Sequence, residues 1–247
     1  LYFECNEENK TVDIVKLNEV KKVYPLGKVQ VEAIKGVDLC IEKGDFISIA
    51  GPSGSGKTTI LNMIGCIDKP TEGTVEISGR CTAEMKDKEL TSLRHQFLGF
   101  IFQSFNLIPV LNVYENIEFP LLLGKDRMDK KEKREWIDYL IEEVGLAEQC
   151  IQRPNELSGG QRQRVAIARA LATKPEIVLA DEPTANLDSK TGEGIIELMK
   201  KLNREQATTF IFSTHDPAIV SIADHVIHLH DGLVVKEQRR QRDAGAR

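Results

Sequence analysis

Cysteine is sparse in this chain: five in 247 residues, at Cys5, Cys40, Cys66, Cys81 and Cys150, with no C-x-x-C pair. An odd number at wide spacing argues against a structural zinc site or a disulfide framework. Cys40 and Cys66 lie among apolar neighbours and read as buried thiols, and a reducing compartment is expected. No stretch approaches the ~18–20 consecutive apolar residues that span a bilayer, so any membrane role must come through a partner. No basic segment followed by an apolar one opens the chain, so no secretory signal is expected. It begins at Leu1 rather than at a methionine, and residue 1 is not read as the native start. A net charge of −5 argues against a nucleic-acid partner. Internal repeats and low-complexity domains are also lacking. What remains is ordinary globular composition, 41% hydrophobic and 29% charged, with length for one large domain or two tightly joined lobes.

Residues 1–12 are polar and acidic and read as a flexible end. From Ile14 to Ile49 several strands are expected, with turn signals at Pro25-Leu26-Gly27, Lys35-Gly36 and Lys43-Gly44. Thr74–Ile77 reads as a short strand and Phe97–Gln103 as a buried one. Tyr114–Ala172 reads as mainly helical, with Asp129–Val144 its clearest amphipathic piece. The mixed run Lys130-Lys131-Glu132-Lys133-Arg134-Glu135 is read as a solvated helix face. Ile177–Ala180 and Thr208–Phe212 are short apolar runs suited to buried parallel strands, joined by a helix over Thr191–Asn203. Val226–Leu229 and Leu233–Val235 flank His230-Asp231-Gly232 as a hairpin. A basic tail, 237–247, follows and is expected to be disordered.

The segment Gly51-Pro52-Ser53-Gly54-Ser55-Gly56-Lys57-Thr58 fits the phosphate-loop pattern G-x-x-x-x-G-K-[ST]. The apolar run Phe46–Ala50 precedes it and the apolar segment Ile60–Ile64 follows, which is the strand–loop–helix setting the motif needs. Its glycines let successive N–H groups point inward at phosphate oxygens, beside a helix N-terminus that favours anions. Lys57 is placed to reach terminal phosphates and the Thr58 hydroxyl to ligate Mg²⁺. Alone, this loop leaves kinases, GTPases, helicases and motor ATPases open. Four further segments narrow the choice. Ile177–Glu182 is an apolar strand ending in two acids: Asp181 suits the outer shell of a metal, and Glu182 is placed to deprotonate a water. Leu157-Ser158-Gly159-Gly160-Gln161, before a helix expected from Arg162 to Ala172, is a second anion-binding helix start. Two such elements in one chain suggest a head-to-tail dimer, each chain closing on the nucleotide held by its partner's Lys57. Gln103, at a strand end, is placed to reach metal and water. His215, in Ser213-Thr214-His215-Asp216, is a candidate phosphate contact.

In this order the segments resemble the nucleotide-binding subunit of ABC transporters, over about residues 13–236. The resemblance implies an α/β fold: a RecA-like P-loop NTPase core with an antiparallel β subdomain and a helical subdomain, the last over about 104–172. It implies ATP and Mg²⁺ held between two subunits. Tyr24 would stack on adenine. Ser53 and Ser55, Gly56, Lys57, Thr58 and Thr59 would line the phosphate cradle. Ser158 and Gly160 of the signature would touch the partner's γ-phosphate, Asp188 would link the two sites, and Glu182 would be the catalytic base. Leu61–Asp68, Gly99–Pro109 and Leu179–Asp188 further resemble the LolD/MacB group, which works with membrane subunits of four helices and a large extracytoplasmic domain. That implies a peripheral position on the cytoplasmic face of the inner membrane. Lipoprotein release is the favoured task, since a fused exporter would carry its membrane region on the same chain. Macrolide or peptide efflux and FtsE-like control of cell-wall hydrolysis are the alternatives. Asn112 stands where the group more often has Thr. DNA-repair ABC ATPases carry coiled-coil or zinc insertions that are lacking here, and translation-type factors carry two such domains.

Overall fold

The computed structural model describes residues 12–27, 29–124 and 128–240; most of the expected flexible end and basic tail lies outside them. Strands β1 (Asp13–Leu26) and β2 (Val29–Glu42) form a long hairpin, followed by β3 (Phe46–Ala50) and helix α1 (Lys57–Ile64). Then come β4 (Glu72–Ile77), β5 (Arg80–Cys81), α2 (Asp87–Phe97) and β6 (Leu98–Ile101). Helices α3 (Val113–Leu123), α4 (Lys130–Glu143) and α5 (Gly159–Leu171) form a separate group, packed on one another. The chain closes with β7 (Ile177–Asp181), α6 (Ser189–Gln206), β8 (Thr209–Thr214), α7 (Pro217–Ile222), β9 (His225–His230) and β10 (Leu233–Arg239).

Two sheets organise these elements. One is antiparallel in the order β2-β1-β4-β5; the other runs β10-β9-β3-β8-β7-β6, parallel except for β10 at its edge. Every residue of β3 and β8 is buried, as expected of parallel strands covered on both faces. The two-residue period of a strand then divides the core. Phe46, Val178, Phe210 and Phe212 face the helices α3–α6. Ile47, Ile49, Leu179 and Ile211 face the other way, where α1 lies between this sheet and the antiparallel one. Trp136, the only tryptophan, sits on α4 and stacks on Tyr139 at 5.3 Å between centroids. It carries the Lys174 ammonium 4.6 Å from its ring and donates its indole N–H to the Ala172 carbonyl (2.8 Å) just beyond α5.

The α/β class, the terminal hairpin and the buried strands agree with the sequence reading, with several differences. No turn falls at Lys35-Gly36: β2 runs through both residues, and the expected turn is an irregularity in its pairing with β1. Phe97 closes α2, a helix the periodicity did not reveal, and the following strand ends at Ile101, so Gln103 lies in the turn beyond it. Cys66 is buried, but Cys40 is exposed, because it occupies an outward position of β2. Asn112 is the N-cap of α3: its side chain accepts from the Glu115 N–H, and Glu115 accepts from the Asn112 N–H, both at 2.8 Å. Thr also serves as an N-cap, so the departure at this position keeps its local role. The turn Asp231-Gly232 has φ of 47° and 78°, the pair of left-handed residues that a tight hairpin requires. Beyond it β10 continues through Gln238 and Arg239 rather than leaving the sheet, and Arg239 pairs with Glu42.

That edge carries an ionic cluster around a buried histidine. His225 is 2% exposed; its Nε2 lies 2.7 Å from Glu237 Oε1 and its Nδ1 3.5 Å from Asp45 Oδ2. Burial alone would lower the imidazole pKa, but Asp45 and Glu237 outweigh it and raise it above the ordinary 6.5. The His225 imidazole in turn holds Glu237 below its ordinary 4.5. The histidine's contribution to stability is therefore complete below pH 6.5 and lost as pH rises through its folded value; that of Glu237 is complete above 4.5 and lost as pH falls. Compared with a His225→Gln variant, the native chain should be more stable by ~1–3 kcal/mol between those two values. The difference should shrink on either side. Thermal denaturation across a pH series checks this, and a difference independent of pH would contradict it.

Candidate nucleotide site

The phosphate loop leaves the end of β3 and turns into α1 through Gly54 and Gly56, at φ 79° and 104°. A Cβ on Gly51 would fall 2.2 Å from the Leu229 carbonyl oxygen, and one on Gly56 2.6 Å from Ile34 Cδ1. The loop is thus wedged between β9 and β2, and only glycine fits at both points. Lys57 opens α1 and is 6% exposed. Its ammonium donates to the carbonyls of Gly51 (2.9 Å) and Pro52 (3.0 Å) and stands 3.9 Å from Glu182 Oε1. Ser55 Oγ is buried with no hydrogen-bond partner among the described residues. A buried cation, an unpartnered buried hydroxyl and a glycine cradle suit a polyphosphate.

Strand register brings the other groups to this loop. Asp181 pairs with Ser213 across β7 and β8. Ser213 Oγ donates to Asp181 Oδ1 (2.6 Å) and accepts from the Glu182 N–H (2.9 Å). Thr58 Oγ1 lies 3.1 and 3.0 Å from the two Asp181 oxygens. One hydroxyl and one carboxylate suit Mg²⁺, which keeps waters and takes its remaining ligands from phosphates. Glu182 has a left-handed backbone, φ 44°, strained for a residue of this size. That turn sets its carboxylate between Lys57 and the exposed His215, whose Nδ1 is 3.3 Å away.

The signature residues form a second group. Ser158 caps α5: its Oγ accepts from the Gln161 N–H, while Gln161 Oε1 accepts from the Ser158 N–H. A Cβ on Gly160 would meet Thr191 Cγ2 at 2.6 Å, and one on Gly159 would meet Leu187 Cδ2 at 3.3 Å. These glycines therefore let the start of α5 approach the start of α6. There Asp188 is the N-cap, accepting from the Thr191 N–H, and hydrogen bonds with Thr191 hold its carboxyl below the usual range. Among the described residues no hydrogen bond or ion pair joins this group to Lys57, Thr58 or Asp181. Gln103 stands between: its side chain is exposed, and its carbonyl accepts from Asn186 Nδ2 (2.8 Å). Tyr24 lies beside α1, half-buried, with its hydroxyl on Asp68. Ser53 and Gly54 occupy the exposed rim of the loop, and Thr59 is half-buried on α1.

Sequence reasoning assigned no role to Ser213, Asn186 or Arg169. The Arg169 guanidinium, on α5, donates to the carbonyls of Phe105 (2.7 Å) and Asn106 (2.5 Å) and so holds two consecutive left-handed residues beyond Gln103. An arginine within the otherwise apolar Val165–Leu171 was its visible signal. Replacing Ser213 with Ala removes the acceptor of the Glu182 N–H. ATP turnover should fall about tenfold, equivalent to ~1.4 kcal/mol, with little change in KM. Steady-state ATPase kinetics test this, and unchanged turnover would remove Ser213 from the site.

Comparison with known proteins agrees with this arrangement. The ABC transporter family profile matches residues 34–185. The chain is 49% identical to an uncharacterized ABC transporter ATP-binding protein, MJ0796, of Methanocaldococcus jannaschii, over 92% of this chain and 97% of that one. It is 43% identical to the lipoprotein-releasing system ATP-binding protein LolD 1 of Rhodopseudomonas palustris, over 90% and 98%. It is 39% identical to the macrolide export ATP-binding/permease protein MacB of Syntrophobacter fumaroxidans, over 92% of this chain but 32% of that longer one. A dimeric structure of MJ0796, in a post-hydrolysis state with ADP and Pi, superposes with a TM-score of 0.84 at 48% identity, covering 93% of this chain and 100% of that one. With the phosphate loop, the paired acids and the signature helix in these positions, the chain belongs to the ABC transporter family, as an ATP-binding ATPase domain.

Proposed function

We propose that two copies of this chain close head to tail on ATP and that this closure drives an integral membrane partner. The observation that carries the reading is the division of the site. Lys57, Thr58, Asp181, Glu182 and His215 converge on the phosphate loop, while the Ser158–Gly160 helix start stands apart with no bond to them. A second copy supplies the missing half. The dimeric state of the MJ0796 cassette bound to ADP and Pi supports this arrangement.

In the closed dimer, Lys57 and the loop amides hold the terminal phosphates, and Thr58 with Asp181 would hold Mg²⁺, which neutralises phosphate charge when bound. Tyr24 stacks on adenine. Glu182 takes the proton of the attacking water, His215 steadies the γ-phosphate beside it, and Gln103 senses both metal and water from its turn. Asp188 meets the opposite site. Along the junction between core and helical group runs an apolar groove lined by Phe100, Phe102, Ile108, Phe119, Pro120 and Leu123, of which Leu123 is 69% exposed. This groove receives the membrane partner. Among the described residues no helix is long and apolar enough to cross a membrane, and the chain works peripherally, on the cytoplasmic face. We favour a partner with four membrane helices and a large extracytoplasmic domain, and lipoprotein release as the task. Similarity to macrolide export proteins supports efflux as a second reading.

Glu182→Gln should leave ATP binding intact and slow hydrolysis by ~10²–10⁴-fold, so that an ATP-bound dimer accumulates; gel filtration and phosphate release measure both. Unchanged turnover would remove Glu182 from the base role. Lys57→Ala should abolish nucleotide binding, and Ser158→Arg should spare binding to the monomer while blocking the dimer. Mixed dimers of these two variants should retain one intact composite site and measurable activity; none at all would count against cross-subunit pairing. Purifying Glu182→Gln with ATP from native membranes identifies the partner. Four-helix subunits carrying lipoprotein support release, and a different partner redirects the task.

A further inference from the structure

Beyond Lys21, β1 no longer pairs with β4 and its one strand partner is β2, with the Val23 N–H donating to the Thr71 hydroxyl (3.0 Å). Tyr24 stands on this two-stranded tip, opposite Val31. A ribbon of two strands is by itself a poor foundation for an aromatic platform. Side chains make up the deficit. The Tyr24 hydroxyl donates to Asp68 Oδ2 (2.6 Å), and the Lys22 ammonium donates to Asp68 Oδ1 (2.6 Å) and to the Lys69 carbonyl (2.7 Å). The same ammonium lies 4.8 Å from the centroid of the Tyr24 ring, a cation–π contact on one of its faces. Asp68 is itself fixed to the phosphate-loop helix: the N–H groups of Ile67 and Asp68 donate to the Asn62 carbonyl on α1 at 2.9 and 3.1 Å. The Tyr24 hydroxyl also interacts with Thr59 on that helix. Burial and the hydrogen bond to Asp68 push the phenol pKa up to about 12, so the hydroxyl stays a donor.

We propose that Asp68 is the positioning residue of the base platform, tying the Tyr24 ring to α1 so that one helix sets both the phosphate cradle and the seat of the base. The inference rests on the reading of Tyr24 as the adenine-stacking residue. With Lys22 against one ring face, the base stacks on the other. Fixing the ring beforehand spares ATP the cost of ordering it, while the phosphate end of the site is untouched.

The full-length chain tests this through three quantities: KM for ATP, kcat, and the inhibition constant of inorganic triphosphate, which has no base to stack. Asp68→Ala should raise KM about fivefold, change kcat less than twofold and leave triphosphate inhibition unchanged. Tyr24→Phe, which keeps the ring but loses the tether, should match it. The effect of the double variant should fall well short of the sum of the two single ones, because both remove the same bond. Asp68→Asn, which keeps an acceptor for the phenol, should show a smaller rise. Native KM in both Asp68→Ala and Tyr24→Phe overturns the proposal, and so does a parallel loss of triphosphate binding. Tyr24→Ala separates the two levels. If it raises KM while Asp68→Ala does not, the tether fails and the platform stands. If Tyr24→Ala leaves KM native, the platform reading fails and the proposal goes with it.

Discussion

The parallel pairing of β7 with β8 is the constraint on which the site depends, because it sets Asp181 beside Ser213 and lets one hydroxyl serve two acids. Ser213 accepts from the backbone of Glu182 while it donates to Asp181. The strained turn at Glu182 is thereby held in the orientation that faces Lys57 and His215. A one-residue slip of this register would turn every side chain of β7 to the opposite face. It would carry Val178 and Ala180 out of the helical core together with the acids. Burial of the strands and placement of the chemistry are enforced by the same pairing.

The phosphate loop is constrained from a different direction. Its shape follows from what surrounds it, since Leu229 and Ile34 leave no room for a Cβ on Gly51 or Gly56. The signature glycines have a similar reason in packing, with Thr191 against Gly160. Glycine at these positions therefore serves fold and function together. The α5 and α6 N-termini are drawn close by that packing, and Ser158 and Asp188 end up neighbours although 30 residues apart in the chain.

What was legible in the sequence was contiguous. The phosphate loop, the acids after Ala180, the signature and His215 each occupy a few consecutive residues, and local patterns announce them. What was not legible depends on contacts between distant segments. The Tyr24–Asp68 bond spans 44 positions, Asn186 to Gln103 spans 83, and Arg169 to Asn106 spans 63. Cys40 reads as buried because its neighbours Leu39 and Ile41 are apolar, although the strict alternation from Val37 to Ile41 already puts it on the outward face of β2. Helix α2 is amphipathic, but its mean hydropathy is low and only Leu90 and Leu93 are fully buried, so its period was faint. The start of the basic tail reads as free because its residues are polar; Glu42, on a strand about two hundred residues earlier, draws Arg239 back to the sheet.

Trp136 has a consequence of another kind. Its indole is stacked on Tyr139, overlaid by the Lys174 ammonium and bonded to the Ala172 carbonyl. One side of this assembly belongs to α4, and the other to the segment leading from α5 into β7. Being the only tryptophan, it gives the chain a single indole fluorophore, selectively excited apart from the tyrosines, at the junction between α4 and the segment that enters the parallel sheet. Its emission is sensitive to the distance of the nearby ammonium and to the wetting of the indole. Any change in the contact between these two segments would become an optical signal, readable in real time without a label.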